Sequence, residues 1–419
     1  MSHIKWKDNF EPDIILKKIQ AVLTLESDTT IKVSAYLDYI EARTVIFTML
    51  IFPENLSARV RNNLLNEGIR KTFVEGDLDH ESLLKKLNDI LRSLNSNREE
   101  EYHLLTSLSL NSFLESEIEV SGCKINIFNG DFPEKYNSRY EEDLGALIGG
   151  NLDLDHTPPE YVKVIVTTKA KNPYDASHTS LFSLDTLRAF MCLIANLSQQ
   201  FFLQGPINKI FNPINKITLG GIHSLHRANG DLEEYYYEPN YQKQKIYSFD
   251  SDQNKRIFWS LEELGKSSYD RKLRNALVKY ARAFDERDKN AVILKGWGVL
   301  ESLAAPHKQD NYEEIVRRCS SLFEDRAVHR QILEHIREHR NLNIHAGEYI
   351  EDATIHCYQL QYYIRALILF HLKNHSEFKG LDNVNQFLDL LDRESTYLEN
   401  MRDLYKKAID FKDEKLYKD

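Results

Sequence analysis

Cysteine is scarce in this 419-residue chain: Cys123, Cys192, Cys319 and Cys357 lie far apart, with no Cys-x-x-Cys pair. That scatter leaves no disulfide-dense segment, favours a reducing compartment and argues against a structural zinc. Long apolar runs are missing too. The longest, such as Val45 to Phe52, fall far below the roughly 20 residues that a spanning helix requires. The opening stretch, Met1-Ser2-His3-Ile4-Lys5-Trp6-Lys7-Asp8, lacks the apolar segment of a signal peptide, so a cytoplasmic protein with no membrane contact is expected. No Gly-x-x-x-x-Gly-Lys-Ser/Thr loop or Rossmann fingerprint occurs, which argues against a built-in NTPase or dinucleotide enzyme. A basic excess is absent as well: the formal charge is −10, which does not suit non-specific coating of nucleic acid.

What is present is an ordinary globular composition, 42% hydrophobic and 28% charged, long enough for two or three domains. The expected class is α+β, with a mixed α/β domain over residues 1–170, a connecting region over 171–264 and an all-α helical bundle over 265–419. In the first part, Ile31, Val33, Ala35, Leu37 and Tyr39 alternate with polar or smaller residues, as in a half-buried strand, and Thr44 to Phe52 fits a buried strand. Glu81 to Leu94 has helical spacing. Strands are expected at Tyr102 to Leu110, Glu117 to Phe128 and Tyr161 to Thr168, with a bulge or turn at Gly122, where the alternation changes phase. In the connecting region, Ser183 is expected to cap a helix through about Leu203. A Pro-Ile-Asn-Lys-Ile repeat at 206–210 and 213–217 and a tyrosine-rich acidic loop at 235–239 follow. Helices are then expected at Leu273 to Phe284, Val292 to Leu303, Ile315 to Phe323, from Val328 onward and at Ile355 to Leu372, with one or two more in the tail.

Charge singles out one part of this helical region. Residues 265–375 hold 18 Lys and Arg against 15 Asp and Glu, a formal +3 in an acidic chain, and seven of the window's eight histidines lie between His329 and His375. A local positive field of this kind suits a polyanionic substrate at one site.

Within that window lies Arg340-Asn341-Leu342-Asn343-Ile344-His345. Imidazole moves protons near neutral pH, and guanidinium binds phosphate through two parallel hydrogen bonds, so the pair suffices to cleave RNA without a metal. Spacing alone does not single it out: with 23 Arg and 15 His the chain holds three Arg-x4-His matches, the others being Arg98 with His103 and Arg330 with His335. The context does. About forty residues upstream, Trp297, Leu300, Glu301 and Leu303 lie on an apolar helical segment.

Together these two elements, covering roughly residues 265–375, resemble the HEPN superfamily, in particular the ApeA-like HEPN domains of prokaryotic defence proteins. The resemblance implies a helical domain, a homodimer with a composite site, and no cofactor or metal. It implies Arg340 as phosphate ligand, His345 as general base or acid, and Asn341 as a group that orients the histidine or hydrogen-bonds the backbone phosphate, cutting RNA to 2′,3′-cyclic phosphate and 5′-hydroxyl ends. In one regular helix Arg340 and His345 diverge by roughly 140°, so they converge only across a cleft or after a helix break. Glu301 is assigned a structural role. A purely structural Arg340 could pair with Glu338 or Glu348. Proteins of this family are thought to couple a sensing region to a toxic nuclease, so residues 1 to about 260 would meet a phage or cellular trigger.

Two other functions fit the residues. A non-catalytic HEPN-like domain would serve in dimerisation or nucleotide binding. His335-Ile336-Arg337-Glu338-His339 fits the inverted zinc motif His-x-x-Glu-His, with Glu338 as base, but it requires a further ligand from elsewhere in the chain.

Overall fold

A computed structural model describes residues 3–26, 30–53, 56, 58–76, 78–113, 115–138, 157–196, 215–307, 312–346 and 353–413. Among them are thirteen α-helices and ten strands, an α+β composition.

The N-terminal part holds β1 (Lys5–Trp6), α1 (Pro12–Val22), β2 (Leu23–Leu25), β3 (Ile31–Val33), α2 (Tyr36–Met49), β4 (Leu50–Ile51), α3 (Ala58–Glu75) and α4 (His80–Ser96). Strand β1 pairs with β4 and β2 with β3. Asp79 caps α4 by accepting from the Glu81 and Ser82 amides at 2.8 and 2.9 Å. The alternating stretch 31–39 is a strand only to Val33, and the apolar run 44–52 is helix up to Met49, not strand. Ala42, Ile46 and Met49 are the buried positions of α2, at helical spacing, while Tyr36 and Leu37 face solvent. Short apolar runs suit either element, and packing on α1 decides for helix.

A six-stranded antiparallel sheet follows, in the order β10-β9-β5-β8-β7-β6. Its members are β5 (Glu100–Leu108), β6 (Glu117–Val120), β7 (Cys123–Phe128), β8 (Val162–Ala170), β9 (Ile222–Arg227) and β10 (Leu232–Tyr237). Strands β6 and β7 form a hairpin with Val120 opposite Cys123. The two turn residues, Ser121 and Gly122, take φ values of +54° and +76°, which accounts for the change of phase there. Tyr235 to Tyr237 belong to edge strand β10 and not to a loop: tyrosine suits a half-buried pleated surface, and β9 supplies the pairing that local sequence does not reveal.

Helix α5 (Pro173–Ala195) lies on the sheet, touching β5, β6, β7 and β8. It begins ten residues before the expected cap. Asn172 is the cap, accepting from the Asp175 amide at 2.9 Å with Pro173 in the first turn, whereas Ser183 is buried in mid-helix. The expected continuation to Leu203 and most of the repeat at 206–217 lie outside the described residues; Ile217 is fully buried. Next come α6 (Ser251–Lys266), α7 (Asp270–Phe284), α8 (Lys289–Ala304), α9 (Tyr312–Ser320), α10 (Arg326–Ala346), α11 (Ala353–Asn374), α12 (Leu381–Leu390) and α13 (Ser395–Asp413). Helix α6 is a second helix of the connecting region, beside the one expected from Ser183. Its signature is the capping box between Asp250 and Gln253.

Helix α8 is central to this group, packing on α7, α9, α10 and α11 with Trp297 fully buried. One hydrophobic core runs from Tyr102 in the sheet to Leu388 in α12, and a second lies within residues 4–94. No helix among the described residues is long and apolar enough to cross a membrane.

Candidate functional site

Helix α10 buries Leu333 and Ile336 against the core and carries Arg340 and Asn341 one turn later. The Arg340 guanidinium is 13% exposed. It donates from Nη2 to Glu301 Oε1 at 3.4 Å and from Nη1 to Asn341 Oδ1 at 3.1 Å. Glu301 lies on α8, one turn after Trp297, so the two elements that were far apart in sequence meet through this ion pair. Of the two partners considered from sequence, Glu338 lies 3.7 Å from Arg337, and Glu348 lies outside the described residues.

The backbone of α10 is helical without a break through Ala346, so His345 is carried on the same rod as Arg340; its side chain lies outside the described residues. A helix break between them is therefore absent, and within one chain the two positions keep their divergence of about 140°. A phosphate approaching Arg340 has to share the guanidinium with Glu301. The other Arg-x4-His matches lie in different settings. His103 is a buried strand residue bonded to the Tyr136 hydroxyl at 2.8 Å, and Arg330 is 3.7 Å from Glu313.

A second constellation lies on the same helix. His335 and His339 are one turn apart, with their Nε2 atoms at 2.9 Å, and His356 of α11 completes a cluster whose candidate ligand atoms all lie within 4.8 Å of one another. Burial first, and then the neighbouring His356 and His335, push the His339 pKa down, which favours its neutral ring. His356 stands where His335-x-x-Glu338-His339 would need a further ligand, and nothing in the local sequence pairs it with them. Glu338 is not part of the cluster.

The most heavily buried charges lie elsewhere. Arg188 on α5 is fully buried between Asp185 and Asp285, donating to the latter through Nη1 and Nη2 at 2.8 and 2.7 Å. Arg282 on α7 joins Asp185 to Glu238, and Glu238 also meets His223 Nε2 at 3.3 Å. Burial alone would raise the Glu238 pKa; the hydrogen bond from His223 and the charge of Arg282 outweigh it and hold the carboxyl well below the usual range. This network seals the seam between sheet and helices. Its sequence signal is a charged pair, Asp185 and Arg188, set inside an apolar helix.

No family model, curated protein or solved structure matches this chain.

Proposed function

We propose that this chain is a metal-independent endoribonuclease of the HEPN type, acting in the cytoplasm as a homodimer. The observation that supports it is the contact between the two elements carrying the resemblance: Arg340 is anchored on Glu301 of the Trp297 helix, beside Asn341 and on the same unbroken helix as His345. Because the helix does not break, a composite site needs a cleft. Two copies related by a two-fold axis supply one, with Arg340 and His345 drawn from both.

In that cleft His345 takes the proton from the ribose 2′-hydroxyl, or returns one to the leaving 5′-oxygen, a contribution of about 10²–10⁴-fold. Arg340 binds the scissile phosphate and stabilises the charge that develops on its non-bridging oxygens. Asn341, already bonded to the Arg340 guanidinium, orients these groups. The products are a 2′,3′-cyclic phosphate and a 5′-hydroxyl. The sheet-bearing N-terminal part serves as the sensor of a phage or cellular trigger in a defence response.

The test is cleavage of labelled total RNA in EDTA by wild type, Arg340→Ala and His345→Ala, with the product ends mapped. Cyclic phosphate ends that disappear in both variants are expected. Equal cutting by all three, or cutting of a 2′-O-methyl substrate, would overturn the proposal.

A further inference from the structure

We propose that His335, His339 and His356 form a binding site for one divalent transition-metal ion of the zinc class, which clasps α10 to α11. The three residues have the chemistry for it. Imidazole nitrogens suit Zn²⁺, Ni²⁺, Co²⁺ and Cu²⁺, whereas Mg²⁺ and Ca²⁺ take oxygen ligands. Two of the histidines are spaced i and i+4 on one helix, so their rings project from one face, and the third arrives from the neighbouring helix.

The distances fit a metal with little movement. Tetrahedral zinc with bonds of about 2.0–2.1 Å places its ligand nitrogens about 3.4 Å apart. The Nε2 atoms of His335 and His339 are 2.9 Å apart and no candidate ligand pair exceeds 4.8 Å, so the present separations bracket the bound value. Ring centroids at 4.2, 4.4 and 5.0 Å show the three imidazoles already gathered around one point.

Two further observations distinguish this cluster from chance crowding. His356 Nδ1 donates to Gln359 Oε1 at 3.1 Å, which leaves the lone pair on Nε2; a ligating imidazole is usually oriented by such a bond from its other nitrogen. His339 Nδ1 is buried with no hydrogen-bond partner, and its Nε2 lies 2.9 Å from Nε2 of His335. A metal ion between these two Nε2 atoms would use the lone pairs of both rings, whereas a hydrogen bond between them uses only one.

Three histidines leave a fourth position for water or an anion. Glu338, the base the sequence motif would use, is 65% exposed and beside Arg337, so the cluster is assigned to binding and not to hydrolysis. His339 of this site lies one residue before Arg340, on the helix that carries it. The inference stands apart from RNA cleavage, which needs no metal in the proposed mechanism.

The experiment uses full-length protein without a polyhistidine tag, stripped with EDTA and dialysed, then titrated with ZnCl₂ or MgCl₂ in a calorimeter and followed by thermal unfolding. Expected are one zinc per chain, a higher Tm with zinc and no response to magnesium. His356→Ala should abolish binding, and Gln359→Ala should weaken it by about 10–100-fold. Should His356→Ala fail to fold by circular dichroism, His335→Gln at the exposed member takes its place. Cobalt supplies a second readout, because nitrogen coordination gives visible absorption that the ligand variants should lose. Unchanged zinc stoichiometry in the ligand variants, or no binding by wild type, would overturn the site. Nuclease activity that survives stripping leaves both proposals standing, whereas its loss on stripping and return with zinc would overturn metal independence alone.

Discussion

Glu301 shows how much one residue can carry without being strongly stabilising. Its carboxylate is 33% exposed, so solvent screens its attraction for Arg340, and Glu301→Gln should cost no more than about 1 kcal/mol in urea denaturation. In the proposed reaction, initial rates of RNA cleavage should fall further, by about tenfold, because the guanidinium loses the partner that aims it. Cleavage at the wild-type rate would remove Glu301 from any positioning role. His371 is a different case. Complete burial pushes its pKa down to about 3, with the Tyr269 hydroxyl 3.2 Å from Nδ1. The unfolded chain takes up a proton near pH 6.5 and the native ring does not, so this group leaves stability intact above that pH and lowers it progressively from about 6.5 down to 3. His371→Phe should flatten that part of the stability profile measured by chemical denaturation at a series of pH values; an unchanged slope would assign the acid sensitivity elsewhere.

Helix α8 contains two glycines with opposite consequences. A Cβ on Gly296 would stand 2.7 Å from Leu360 Cδ2, a fully buried side chain on α11, so this glycine permits the two helices to approach. Gly296→Ala gains up to about 1 kcal/mol of helix propensity but forces the core apart at a cost of about 1–3 kcal/mol, and net destabilisation is expected. At Gly298 nothing lies within 4 Å of the added carbon, so Gly298→Ala should stabilise by up to about 1 kcal/mol. Thermal unfolding of the two variants side by side checks the signs, and equal shifts would contradict the packing of α8 on α11. The length of α10 matters in the same way. Because it runs unbroken from Arg326 to Ala346, local bending does not bring Arg340 and His345 together.

At the scale of the molecule, the two largest hydrophobic cores among the described residues predict two responses to mutation. Leu87→Ala, in the cluster within residues 4–94, should cost about 2–5 kcal/mol and raise amide exchange there while β5 and α8 stay protected. Uniform loss of protection would show the two cores to be one cooperative unit. Arg188 acts across the seam between α5 and α7. Arg188→Ala takes from Asp285 its only guanidinium partner among the described residues and leaves Asp185 with Arg282 alone, and a loss of about 3–5 kcal/mol is expected, reaching sheet and helices together because the larger core spans both. Urea transitions followed by circular dichroism measure it, and a loss below about 1 kcal/mol would mean that the carboxylates find other partners.

Local pattern determined much of this protein by itself. The hairpin of β6 and β7, helix α4, strands β5 and β8 and the helices at 270–284 and 289–304 follow from periodicity and turn chemistry, which act between residues a few positions apart. The Arg340-Asn341 pair and Trp297 are likewise legible in the sequence. Tertiary structure decided the rest. Residues 36–49 are helical because Ala42, Ile46 and Met49 find a core, and Tyr235 to Tyr237 form a strand because β9 lies alongside. Arg340 pairs with Glu301 and not with a neighbour on its own helix, and His356 joins His335 and His339 from the next one. Each of these depends on which distant surface is presented to a side chain, and a linear pattern specifies the faces of an element but not what packs against them.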